Sequence, residues 1–173
     1  MVVFDRHADC HQAPHGYVSC GSWLRDVAAL PKVARIILVG SQEKLTLPKL
    51  VYAPCNPAVL AGLISTPRVY VSVDKDALRE AVTDWGSGRL ALPSLVSCLL
   101  WLKRHYRVVG VDVCGEYTPR GPWPSRGELA VILANEGVNL ALCRALTAGT
   151  GRSCRRRKHF CSQVVNARRK RGI

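Results

Sequence analysis

Four short apolar runs restrict the folds open to this chain: residues 2–4, 34–40, 68–73 and 107–113. Each reads as nearly continuous Val, Ile, Leu or Phe rather than as an apolar–polar alternation, the signature of strands buried on both faces. Helical stretches separate most of them, at 21–30, 56–64, 93–106 and 125–146. Pro31 closes the first, Asn56 is placed to cap the second, and Pro93 sits in the first turn of the third. The pattern predicts an α/β domain, a three-layer α/β/α arrangement around a mainly parallel sheet. Residues 44–52 read as a strand pair punctuated by Pro54 and Pro57, and 84–88 as a glycine-rich turn.

In such sheets ligands bind beyond the carboxyl ends of the strands, and acids crowd that edge here. The run 2–4 leads into Asp5-x-His7-x-Asp9, 68–73 into Asp74-x-Asp76, and 107–113 carries Asp112 with Glu116 just after it. Fully extended, Asp5 and Asp9 would lie about 13 Å apart, at roughly 3.3 Å per residue. Sharing an ion therefore requires the segment to curl over the strand end. Unpartnered carboxylates in one place repel and lose solvation, and a cation removes both penalties. Carboxylates with a neutral imidazole suit divalent manganese, iron or zinc. A polar, solvated turn after each strand is the simpler alternative.

At 173 residues the chain is long enough for one domain with a true core. No apolar run reads as reaching the roughly 20 residues of a membrane span, and no leader is visible, so the expectation is a cytoplasmic protein without membrane contact. Cysteines 10, 20, 55, 98, 114 and 143 are scattered, as expected of free thiols in a reducing compartment. Nine cations and no acid lie from residue 151 onward, so the first 150 residues carry only +4 of the net +13. The chain divides on this basis into a domain, 1–150, and a basic tail, 151–173, expected to be disordered and to attract nucleic acid weakly and without sequence preference. Cys154, His159 and Cys161 fall short of a four-ligand zinc site.

Taken together, the motifs resemble the ureohydrolase family, the arginases and agmatinases. The family's D-A-H-x-D corresponds to Asp5-Arg6-His7-Ala8-Asp9, and its S-x-D-x-D to Ser72-Val73-Asp74-Lys75-Asp76. Its G-x-D-x-x-E-x-x-P corresponds to the segment from Gly110 through Asp112 and Glu116 to Pro119. The resemblance covers roughly residues 1–147. It implies two manganese ions bridged by hydroxide, with Asp5 and Asp74 bridging and His7, Asp9 and Asp76 as terminal ligands. It also implies hydrolysis of a linear C–N bond in a small guanidino-type substrate, giving urea and an amine, with Glu116 pairing with the guanidinium. A homo-oligomer is a further implication of the resemblance.

The departures set further expectations. The family's upstream G-G-D-H ligand has no counterpart, so the resemblance implies an arginase-like sheet lacking its first strands, with little or no activity in this form. No histidine occupies the usual proton-shuttle position cleanly. Cys20 has the spacing, whereas His15 has the residue type. Glu116 follows Asp112 by four residues rather than three. His11 reads as a solvated loop histidine, and Trp85 either lines a substrate mouth or simply packs. The histone-deacetylase branch expects adjacent histidines, which are not visible. The reading from another functional class is a catalytically inactive module with a nucleic-acid-attracting arm.

Overall fold

The computed structural model describes residues 1–14 and 17–147. The elements are β1 (Val2–Phe4), α1 (Trp23–Ala29), β2 (Ile36–Val39), β3 (Leu50–Ala53), α2 (Pro57–Leu63), β4 (Arg68–Asp74), α3 (Leu92–His105), β5 (Arg107–Cys114) and α4 (Arg126–Thr147). A single 3₁₀ turn, Lys75–Ala77, follows β4 directly. The five strands form one parallel sheet in the order β3-β2-β1-β4-β5.

Helices cover both faces of the sheet, which is the three-layer α/β/α architecture. Alternate residues of β1 divide between the two sides, as strand geometry requires. Val2 and Phe4 join Leu60 of α2, Leu95, Leu99 and Leu102 of α3, and Val138 and Leu142 of α4. Val3 joins Leu24 and Ala28 of α1, with Ile36 and Leu38 of β2, on the other side.

The strand pair expected over 44–52 is instead a loop and one strand. Tyr52 accounts for the difference, because its hydroxyl accepts from the Leu45 N–H and donates to the Leu45 carbonyl, both at 2.8 Å. Those backbone groups are satisfied by a side chain rather than by a ladder. Pro48 supplies no donor, and Lys49 takes a left-handed φ of 65°. Only Leu50–Ala53 remains extended, paired with β2.

Helix α4 is long and apolar enough, by length and composition, to cross a membrane, which the reading of apolar runs had not anticipated. It packs on the domain through Asn135, Val138, Leu142 and Ala145. The tail expected to be disordered, 151–173, lies outside the described residues.

Candidate metal centre

The chain runs β1, β2, β3 outward to one side of the sheet, then returns to place β4 and β5 on the other side of β1. The point between β1 and β4 is therefore the topological switch, where doubly wound sheets open a crevice at their carboxyl ends. Phe4 is in register with Val73, so Asp5 and Asp74 leave adjacent strands side by side.

The curl that the sequence demanded is built from local hydrogen bonds. The Asp5 N–H continues the ladder by donating to the Val39 carbonyl at 3.0 Å. The Asp5 carboxylate then turns the chain, its Oδ1 accepting from the His7 N–H at 2.7 Å. Asp9 adopts a left-handed φ of 46°, a conformation that aspartate tolerates better than most residues. Its Oδ2 accepts from Trp23 Nε1 at 2.8 Å. On the neighbouring strand, Asp74 Oδ1 accepts from the Asp76 N–H at 2.9 Å and caps the 3₁₀ turn. The two motifs are stitched together where the Arg6 N–H donates to Asp76 Oδ1 at 3.1 Å.

Asp5, His7 and Asp76 each offer a ligand atom within 4.8 Å of the other two. His7 Nδ1 stands 2.7 Å from Asp76 Oδ2, yet that buried oxygen receives no hydrogen bond of acceptable geometry. An oxygen left this way in the interior is costly, and a cation shared with the imidazole nitrogen would satisfy it. Burial pushes the Asp5 carboxyl up to about 10, with the charges of Asp9, Asp76 and Asp74 adding to the effect. Asp76 is raised by burial and then by Asp74. Asp9 is raised by burial against the opposing hydrogen bond from Trp23. Four carboxyl groups and one imidazole at one strand edge, three of the acids holding their protons until a cation replaces them, form a hard, oxygen-rich donor set that fits a divalent ion such as manganese.

The backbone around the cluster is shaped to it. At Gly115, with φ 84°, a Cβ would lie 2.3 Å from Asp74 Oδ1, so only glycine lets this loop approach the carboxylate. Cys114 Sγ reaches the other oxygen, Oδ2, at 3.3 Å. The Arg6 guanidinium crosses to the glycine-rich turn and donates to the carbonyls of Trp85 and Ser87 at 3.2 and 3.1 Å. That clamp holds Trp85, 63% exposed, with its ring centroid 6.4 Å from that of His7. The tryptophan thus stands at the mouth of the cluster.

Other sequence candidates sit elsewhere. Asp112 is tied to the Ser72 hydroxyl at 2.7 Å. The carboxylate of Glu116 pairs with the ammonium of Lys75, which also donates to Asn139 Oδ1 at 2.8 Å. Lys75 is fully buried between the two aspartates of its motif, and sequence reasoning passed over it. Its signal was present in the chain, since a lysine inside a run of buried residues needs a partner. Cys20 is exposed in the turn leading into α1. His11 is 3.5 Å from Glu43 and 58% exposed, whereas His15 lies outside the described residues.

These features define a doubly wound α/β domain with an acidic, ion-ready switch point. No protein-family model matches the sequence. An uncharacterized protein of Thermotoga maritima is 32% identical over 146 residues, which span 84% of this chain and 57% of the relative. The agmatine ureohydrolase of Thermoplasma volcanium superimposes with a TM-score of 0.60 at 18% identity, over 84% of this chain and 54% of that one. The arginase of Bacillus subtilis gives 0.60 at 13% identity, over 85% and 62%, and the formimidoylglutamase of the same species 0.57 at 15%, over 85% and 53%. The chain has the arginase (ureohydrolase) fold and spans little more than half the length of the proteins it matches.

Proposed function

We propose that this chain is the metal-binding part of a ureohydrolase-type enzyme that cleaves a linear C–N bond in a small guanidino-type substrate. The observation that carries this reading is the close approach of Asp5, His7 and Asp76, with His7 Nδ1 2.7 Å from a buried Asp76 oxygen, at the switch point of an arginase fold. Asp5, His7, Asp9, Asp74 and Asp76 would hold two manganese ions. When bound, such a pair supplies a hydroxide nucleophile at neutral pH. The protein's own part is positional. The two aspartate turns fix the donor atoms, Trp23 holds Asp9, and the Arg6 clamp keeps Trp85 over the entrance.

The test is manganese content by elemental analysis after dialysis, followed by urea release from arginine, agmatine and guanidino acids. Asp76→Ala and Asp74→Ala are expected to lower manganese affinity at least about tenfold, the minimum seen when even a supporting residue is lost. Equal metal in wild type and both variants removes the assignment.

One observation favours a second reading, a non-catalytic module. Lys75 already occupies Glu116, the carboxylate that a guanidinium would use. Metal binding without urea release from any of these substrates is the result expected of that reading.

A further inference from the structure

Among the described residues, Cys55 and Cys98 are the two cysteines in sulfur–sulfur contact. The Cys55 thiol donates to Cys98 Sγ at 3.2 Å across 43 residues of sequence. Cys55 sits in the short link between β3 and α2, half-buried, whereas Cys98 is on the inner face of α3 and 1% exposed. Two thiols this close, on separate elements, lie within reach of a covalent bond. A disulfide needs about 2.05 Å between sulfurs, so the two sulfurs have to approach by about 1 Å.

The pair is also approachable. Cys55 lines an open cleft of about 430 Å³ at the carboxyl ends of β2 and β3. The other polar side chains on its wall include Lys44, Arg89, Ser41 and Tyr52, and no acid is among its lining residues. Lys44 Nζ lies 4.1 Å from the centre of the Tyr52 ring. An anionic reagent entering here meets two cations and one sulfur, with a second sulfur directly behind it. The hydrogen bond between the thiols lowers the pKa of Cys98 and raises that of Cys55. The negative charge therefore rests first on Cys98, which is placed to accept the Cys55 proton as Cys55 attacks.

We propose that the Cys55–Cys98 pair is a thiol–disulfide exchange site for small anionic disulfides of the glutathione class, distinct from the carboxylate cluster. Cys98 releases its proton to solvent and takes up that of Cys55, and the Cys55 thiolate so formed attacks one sulfur of the incoming disulfide. The reagent's S–S bond breaks, a mixed disulfide forms on Cys55, and one glutathione leaves as thiolate, which takes up a proton. Cys98 then loses its proton to solvent and attacks the Cys55 sulfur. The mixed disulfide breaks, the Cys55–Cys98 bond forms and a second glutathione departs as thiolate, which takes up a proton. Two protein thiols are oxidised and one glutathione disulfide is reduced to two thiols.

The experiment uses the full chain, reduced, desalted and exposed to glutathione disulfide. Remaining thiols are alkylated under denaturing conditions and the peptides mapped by mass spectrometry. The expected product is a cross-linked peptide pair joining Cys55 to Cys98, with two glutathione thiols released per cross-link. Cys98→Ala is expected to stall with one glutathione on Cys55. Lys44→Ala with Arg89→Ala is expected to slow cross-linking by glutathione disulfide about threefold or more, while leaving the rate with uncharged hydroxyethyl disulfide unchanged.

A wild-type map with Cys55 and Cys98 both alkylated and glutathione only on other cysteines overturns the proposal. If Cys98→Ala fails to fold, the wild-type map decides alone. Equal rates for the two reagents in the double variant overturn the cleft's role in recognition.

Discussion

Asp5 and Asp76 are carboxylates held where an isolated carboxylate is unfavourable. Asp5 is 3% and Asp76 1% exposed, and burial is the first cause of the upward shift in both. With Asp5 raised to about 10, the folded chain keeps a proton that the unfolded chain releases near its ordinary carboxylate pKa. Without a divalent ion, this contribution to stability is therefore full below about pH 4 and lost as pH rises toward about 10. A cation that replaces the proton reverses the trend. Melting temperatures in EDTA are expected to fall between about pH 5 and pH 8, whereas in manganese they are expected to hold or rise, with protons released on binding. Equal pH profiles with and without manganese would falsify the coupling.

Lys75 poses the complementary problem, a buried cation. Glu116→Ala leaves its ammonium, among the described residues, with the neutral Asn139 and is expected to cost about 1–3 kcal/mol in urea unfolding. Lys75→Met keeps the apolar stem, removes the charge and is expected to stay within about 1.5 kcal/mol of wild type. A silent Glu116→Ala would show that the ammonium does not depend on the pair.

Among the elements, α2 shows how far local sequence alone reaches. Its start is written in Asn56-Pro57: the Asn56 side chain accepts from the Ala58 N–H at 2.9 Å and proline occupies the first turn. Asn56→Ala is expected to cost about 1 kcal/mol in chemical denaturation, whereas Asn56→Asp, which keeps the acceptor, should cost little.

Boundaries of this kind, the four apolar strands and the D-x-H-x-D and D-x-D ends were legible because each is set by neighbours in sequence. The loop before β3 was not, since the Tyr52 hydroxyl bonds to Leu45, seven residues away. Still less legible were the contacts of Lys75 with Glu116 and of Cys55 with Cys98, 41 and 43 residues apart. No periodicity encodes which of several acids or thiols the topology will bring opposite another. The order of the sheet is what joins Asp5 to Asp76. The sequence supplied both motifs, but their adjacency depends on β1 lying beside β4.

At the scale of the whole molecule, charge is divided unevenly between the domain and the chain end. Residues 1–150 hold +4 of the net +13, and residues 151–173 hold nine cations without an acid. Each phosphate contact made by a lysine or arginine releases condensed counterions, so affinity for duplex DNA falls with salt in proportion to the number of contacts. Nine cations set a ceiling of about −8 on the slope of log affinity against log salt. Contacts of lysine and arginine to phosphate carry no sequence information, so little dependence on base sequence is expected. Fluorescence anisotropy with a labelled duplex, between about 50 and about 200 mM salt, should therefore show binding that weakens steeply and equally for unrelated sequences. Deleting 151–173 should bring the slope close to zero while leaving manganese content unchanged, because every candidate ligand lies before residue 77. A shortened chain that keeps a steep slope would place the phosphate contacts on the domain itself, and one that loses its manganese would tie the chain end to the carboxylate cluster.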